Sequence, residues 1–258
     1  MDLERMRTVA RAAALAGAEV VGVGRAPVEG EAKGLPGDWV TEVDVAAEAA
    51  IESLLRAETP DVALQGEESG GATTGLRWVI DPLDGTTNFL HGFWAVGVSV
   101  ALVEEETPVA AAIAAPFLGD LWHAARGAGT VWEPQNGPPH PARVSTRPVE
   151  RAVVGTGFPF RVKDRVPRYL ATFQAALQRF EDLRRPGAAC LDLAWVACGI
   201  FDGFFELGLA PWDVAAGGLL IEEAGGAVTD WDGTPGYLSG DILAGPPAVH
   251  AELLRLAL

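Results

Sequence analysis

The sequence predicts a mixed protein of the α+β / α/β class, and three observations carry that expectation. A helical pattern near the N-terminus is followed by short apolar runs bounded by turn residues, as in an antiparallel meander. Beyond residue 153, strand and helix patterns alternate. At 258 residues the chain can bury a large core, either as one domain or as two closely packed halves. A boundary falls near 143–150, so an N-terminal half (1–145) and a C-terminal half (146–258) are expected. Hydrophobic residues make up 49%, which excludes a disordered chain.

Residues 2–21 place Leu3, Met6, Ala10, Ala13 and Val20 near helical spacing. Residues 24–38 hold four glycines and two prolines, a loop whose composition suits a lid. Lys33 lies in it, and a solvated surface lysine fits equally well. Thr41-Glu42-Val43-Asp44 leads into a helix to about Arg56, with Asp44 in position to cap it. Val62 to Leu64 reads as a strand, followed by a turn that carries Glu67 and Glu68. Leu76 to Ile80 reads as a buried strand that ends in Asp81 and Asp84. Gly85-Thr86-Thr87-Asn88 then makes a turn able to open a helix. Strands follow at 95–103, 109–115 and 121–125, with a hairpin loop at 104–108 and an exposed, proline-rich loop at 133–142. The second half reads as strand 153–155, helix 165–180, helix 189–199, strand 204–206 and a helix opened by Pro211. Strands 227–229 and 242–244 and a helix over 247–257 close the chain.

The formal charge is −16, from 35 acids against 19 bases. That argues against nucleic acid or an anionic membrane as the main partner. Cys190 and Cys198 do not form a CxxC pair and read as free thiols of a cytoplasmic protein. No secretory cleavage pattern stands out, and the longest uncharged run, 85–103, contains Asn88 and His91, unlike a membrane span.

The chemistry concentrates at Asp81-Pro82-Leu83-Asp84-Gly85-Thr86-Thr87-Asn88. Two hard oxygen anions at a strand end can share a Mg²⁺ ion, and the N–H groups of the following turn point at any anion beside it. A tight turn without a ligand uses the same dipeptides. Strand pairing would bring Glu67 towards Asp81 and Asp84. Asp213, near the start of the helix that Pro211 opens, is either a dipole-complementing residue or a metal ligand on a rigid element. Carboxylates converging on one point need cations between them. The absence of a His/Cys ligand set favours Mg²⁺ over zinc.

Three motifs resemble the inositol monophosphatase family of Mg²⁺-dependent, lithium-sensitive phosphatases: Gly66-Glu67-Glu68-Ser69, Asp81 to Phe89, and Pro211-Trp212-Asp213-Val214-Ala215-Ala216-Gly217 with the trailing Glu223-Ala224-Gly225-Gly226. Asp38 to Asp44, Gly155 to Pro159 and Gly187-Ala188-Ala189 add to it. The resemblance implies a five-layer α-β-α-β-α sandwich, a homodimer, and hydrolysis of a small phosphate monoester, myo-inositol monophosphate foremost, with two to three Mg²⁺ ions. It implies Glu67, Asp81, the Leu83 carbonyl, Asp84 and Asp213 as metal ligands, and Gly85 and Thr86 as phosphate donors. Thr86, paired with Asp38 and close to Glu67, would activate water. Asp84, Gly187, Ala188, Ala189 and Glu206 would touch substrate, and Glu68 would support the metal ligands from behind. Ala188 stands where the animal members have threonine, and the pattern around it resembles the bacterial branch, whose substrate choice is broad. Sister activities on the same fold act on fructose 1,6-bisphosphate, bisphosphate nucleotides, NADP or histidinol phosphate. From another class, the rival is a metal-binding regulatory protein that works through a partner.

Overall fold

The computed structural model describes residues 1–24, 29–32 and 39–258; Lys33 and Asp38 lie outside the described residues. Helix α1 (Leu3–Val23) opens where the Asp2 carboxylate accepts the Arg5 N–H at 3.1 Å. A two-stranded ribbon, β1 (Glu31–Ala32) with β2 (Trp39–Val40), precedes α2 (Glu42–Glu58). Strands β3 (Ala63–Gly66), β4 (Gly70–Gly71) and β5 (Leu76–Asp84) lead to the short helix α3 (Thr86–Leu90). Next come β6 (Gly97–Glu104), β7 (Thr107–Ala115), β8 (Asp120–Ala125), β9 (Gly129–Glu133) and β10 (His140–Pro141). The second half holds β11 (Val153–Thr156), α4 (Val166–Arg179), β12 (Asp182–Arg184), α5 (Ala189–Ala197) and β13 (Gly203–Glu206). It ends with α6 (Pro211–Glu223), β14 (Ala227–Thr229), β15 (Ile242–Gly245) and α7 (Pro247–Ala257).

An eight-stranded sheet has the order β10-β9-β8-β7-β6-β5-β3-β4, and a five-stranded sheet the order β12-β11-β13-β15-β14. The run from β5 to β10 is the expected antiparallel meander; only β3 joins β5 in parallel. Both faces of the large sheet are covered, so its central strands are continuous apolar runs. Trp78, Ile80, Val98, Val100 and Leu102 face α1 and α2, which contribute Val9, Ala13, Ala47 and Ile51. Val79, Ala101, Ile113 and Trp122 face the other way, onto α5 and α6. Those two helices also meet Phe204, Ile242 and Ala244 of the small sheet. Every residue of α5 is therefore buried, as expected of a helix between two sheets. The two helices cross closely because Gly217 has no side chain: a Cβ there would come within 2.4 Å of the Leu193 Cβ. On the outer face of the small sheet, α4 and α7 pack Tyr169, Ala176, Val249 and Leu253 against Val154, Phe205 and Leu243. The architecture is the α-β-α-β-α sandwich.

Three readings of local structure are corrected. Thr41, not Asp44, caps α2: its hydroxyl accepts the Val43 and Asp44 N–H groups, and the Asp44 carboxylate returns to the Thr41 N–H at 2.9 Å. The strand expected to end at Ile80 runs on to Asp84. His140 and Pro141, placed in a loop, pair with Trp132 and Val131.

Candidate active site

Residues three apart on a regular strand face opposite sides of the sheet. Asp81 and Asp84 nevertheless share one cavity, and the register shows how. Asp81 pairs with Ser99 and Asp84 with Gly97, so three steps on β5 are matched by two on β6. The extra residue is a β-bulge, which re-aims the second carboxylate. Pro82, with no N–H to give to the ladder, falls within it. The Asp81 carboxylate accepts the Leu83 N–H at 3.0 Å inside the bulge.

The other acids arrive by backbone pairing. Gly66 of β3 lies beside Ile80, and the Glu67 N–H donates to the Ile80 carbonyl at 3.1 Å, which sets Glu67 next to Asp81. The turn after it is held by Glu48, a buried carboxylate of α2 that accepts the Glu68 and Ser69 N–H groups at 3.0 and 2.8 Å. Ser99, the ladder partner of Asp81, donates through its hydroxyl to the Trp212 carbonyl at 3.0 Å. That bond pins the start of α6 over β5, where Asp213 accepts the Ala210 N–H at 2.7 Å. Asp84 accepts the Cys190 N–H of α5, also at 2.7 Å.

Oxygen atoms of Asp81, Asp84 and Asp213 all lie within 4.8 Å of one another. Burial, then the charges of Glu67, Asp84 and Asp213, pushes the Asp81 carboxyl well above its usual range. Burial and the charge of Asp213 lift Asp84 to about 7. Burial lifts Asp213 to about 6 against the opposing Arg161, whose Nη1 is 3.6 Å away. A buried all-oxygen set that repels itself fits a hard divalent cation such as Mg²⁺. Glu67 lines the same cavity, so it can join such a set from the side.

Gly85 adopts φ 92°, the left-handed conformation that starts α3 and that glycine reaches without strain. A Cβ there would also sit 2.9 Å from the Ala95 carbonyl. Asn88 locks this turn to the second half, its amide lying 2.7, 3.0 and 3.3 Å from the carbonyls of Ala95, Pro186 and Gly187. The Thr86 hydroxyl lies 3.2 Å from both the Leu83 carbonyl and an Asp44 carboxylate oxygen. The carboxylate in contact with Thr86 among the described residues is thus Asp44, where Asp38 was expected. Asp38 lies outside the described residues, and the sequence reading of Asp44 went no further than a cap. As third residue of the helix it turns one oxygen to the backbone and keeps the other for Thr86.

These groups line a cavity of about 580 Å³. Gly187, Ala188 and Ala189 form one wall and Glu206 another; Glu68 is not among the lining residues. Glu206 is buried, which excludes an exposed strand-end acid, and burial raises its pKa well above the ordinary value. Gly157 leaves room for its carboxylate, since a Cβ there would collide with both oxygens. Three charged lining residues were not singled out from the sequence: Arg161, Arg185 and Asp192. Asp192 is 1% exposed and its Oδ1 has no hydrogen-bond partner. An acid inside the apolar run 189–197 was the available signal. For the two arginines there was none.

Comparison with known proteins bears on this arrangement. The profile described as the inositol monophosphatase family matches residues 2–257. The Escherichia coli K12 protein named Nus factor SuhB is 43% identical over 232 residues, covering 88% of this chain and 85% of that one. The crystal structure of extragenic suppressor protein suhB from Bartonella henselae superposes with a TM-score of 0.89 at 35% identity, covering 97% of both chains. The inositol monophosphatase of Anabaena (Nostoc) sp. PCC 7120 gives 0.86 at 34% identity, covering 99% of this chain and 96% of that one.

Proposed function

Because the chain belongs to the inositol monophosphatase family, we propose that it hydrolyses small phosphate monoesters with Mg²⁺, myo-inositol monophosphate foremost. The observation that carries this reading is the cluster of Asp81, Asp84 and Asp213 within 4.8 Å, at one cavity with Thr86, Asp44's partner, and the buried Glu206. Glu67, Asp81, the Leu83 carbonyl, Asp84 and Asp213 would hold the Mg²⁺, two to three ions in all. Bound there, Mg²⁺ supplies Lewis-acid polarisation and neutralises charge on the phosphate. The N–H groups of Gly85 and Thr86 hold phosphate oxygens. The Thr86 hydroxyl, donating to Asp44, keeps lone pairs free to accept a hydrogen bond from the attacking water. Asp44 fixes that orientation and accepts the Thr86 hydroxyl proton as the Thr86 oxygen takes the proton that the attacking water loses. Glu206 accepts hydrogen bonds from adjacent hydroxyls of the leaving alcohol. The Gly187-Ala188-Ala189 turn, together with Asp84, bounds the alcohol's position, and Glu68 supports Glu67 through the turn that Glu48 holds.

The test is phosphate release from inositol 1-phosphate, fructose 1,6-bisphosphate, adenosine 3′,5′-bisphosphate, NADP and histidinol phosphate, with Mg²⁺ or EDTA and with or without Li⁺. Inositol 1-phosphate is expected to lead, and EDTA and Li⁺ to suppress turnover. Turnover led by another ester keeps the mechanism and changes the substrate. A second reading, a metal-binding regulatory protein acting through a partner, is favoured by the name Nus factor borne by the E. coli relative. No turnover of any ester would select it.

A further inference from the structure

Acids buried in this fold are held by donors. Asp44, Glu48, Asp81, Asp202 and Asp213 each accept a hydrogen bond from a backbone N–H. Asp192 differs from these. It is 1% exposed, its Oδ1 has no hydrogen-bond partner, and it makes no ion pair among the described residues. It stands between Leu191 and Leu193 in α5, a helix buried along its whole length. A buried carboxyl oxygen without a donor is costly, so its presence asks for a reason.

Complementing the dipole of α5 is not that reason. Asp192 lies in the first turn, where a carboxylate could take one of the free N–H groups. The Cys190 N–H goes instead to Asp84 at 2.7 Å, and no donor reaches the Asp192 Oδ1. The residue borders the cavity instead. Ala189 and Asp192 are three apart and share one face of the helix, and both line the cavity that holds Asp81, Asp84 and Asp213. The wall formed by Gly187, Ala188 and Ala189 thus continues one turn further, to an acid. Burial, then the charges of Glu206 and Asp84, pushes the Asp192 carboxyl well above its usual range, against the opposing charge of Arg185. A carboxyl held towards its neutral form offers little to a cation but still accepts a hydrogen bond from a hydroxyl.

We infer that Asp192 is a specificity-determining contact for the alcohol part of the substrate: its Oδ1 accepts a hydrogen bond from a hydroxyl other than those that Glu206 takes. The two acids approach from different elements, α5 and β13, so together they select esters of polyols over esters of alcohols with no further hydroxyl. The inference rests on the phosphatase reading and sharpens its substrate class.

Inositol 1-phosphate and p-nitrophenyl phosphate share the reacting phosphate and differ in the hydroxyls of the leaving group. The experiment is the ratio of kcat/KM for these two esters, with thermal melts in EDTA, in wild type, Asp192→Ala and Asp192→Asn. Asp192→Ala should lower the ratio by about tenfold, mainly through KM, and should melt no lower than wild type, since it removes an acid that no protein donor holds. Asp192→Asn, which keeps a carbonyl acceptor, should retain part of the ratio. The fall should recur when Asp192→Ala is made in Glu206→Gln; no further fall there would overturn the separate contact. Equal losses on both esters, or a variant that does not fold or melts more than about 4 °C lower, would mark a structural acid and overturn the inference. Wild type that hydrolyses p-nitrophenyl phosphate but not inositol 1-phosphate would overturn it too, leaving the phosphatase reading intact. If wild type hydrolyses neither ester, the phosphatase reading has failed, and calorimetric binding of inositol 1-phosphate in Mg²⁺ decides the contact. Binding weakened by about tenfold in Asp192→Ala supports it; equal affinity, or no binding to wild type, overturns it.

Discussion

Asp81→Asn should make the metal-free protein more stable while removing its response to Mg²⁺. Two unit charges 4.8 Å apart repel by about 3.5 kcal/mol at an effective dielectric constant of roughly 20. Asp81 faces two such partners, Asp84 and Asp213, and Glu67 adds to them. Part of that repulsion is already relieved by proton uptake on Asp81 itself, whose carboxyl is pushed well above its usual range, whereas Asp84 at about 7 and Asp213 at about 6 are ionised at pH 8. At pH 8 the relief expected from the substitution is therefore about one pair, or roughly 3 kcal/mol. The asparagine carbonyl can still accept the Leu83 N–H that Asp81 accepts at 3.0 Å, so little is lost in exchange. At about 2–4 °C per kcal/mol for a chain of this size, melting in EDTA should rise by roughly 6–12 °C. In Mg²⁺ at a hundred times its Kd the wild type gains about 2.7 kcal/mol; the variant should gain far less, and its phosphatase activity should disappear. Thermal melts of both proteins across a Mg²⁺ series read all of this. A variant that melts lower in EDTA, or that Mg²⁺ stabilises as much as wild type, would refute the assignment of the cluster as a cation site.

Asp44→Asn places an amide against donors that need an acceptor; kcat should fall by about 10²- to 10⁴-fold while Mg²⁺ still raises the melting temperature, and an unchanged kcat would refute the Thr86–Asp44 pairing as functional. Glu206→Gln should raise KM for inositol 1-phosphate by about tenfold and that for p-nitrophenyl phosphate much less; equal losses would remove Glu206 from the alcohol site. Hydrogen bonds from Arg255 and Arg179, at 2.6 and 2.7 Å, hold the Glu252 carboxyl at about 2, below its ordinary 4.5. A depressed carboxyl stabilises the fold above its unfolded pKa and stops doing so as pH falls through its folded one. Glu252→Gln should therefore melt below wild type at pH 7, with the gap closing between pH 4.5 and about 2; a gap constant over that window would refute the pairing.

Much of the architecture was legible because its signals are local. The apolar runs of β6 and β7 read as strands, Pro211 marked a helix start that the structure keeps, and the motif spacing pointed to Asp81, Asp84 and Asp213. The short elements were harder. β12, Asp182–Arg184, is a three-residue edge strand with charged ends, and nothing in it departs from a loop until β11 pairs with it.

Residue chemistry along the chain was enough to determine that carboxylates gather beside a glycine turn and that a hard cation suits them. Which oxygen meets which donor was decided only by the tertiary structure. Asp81 and Asp84 share a cavity through a bulge that exists only because β6 counts two residues where β5 counts three. Thr86 finds Asp44 across 42 residues of chain because α2 packs on the sheet that carries β5. Asp192, an acid in an apolar run of the sequence, becomes a candidate contact only once α5 sets it at the cavity with no donor at its Oδ1. The reason is physical. Helix and strand propensities act over a few residues, whereas a hydrogen bond or a charge acts over a few ångströms, and only packing converts distance along the chain into distance in space.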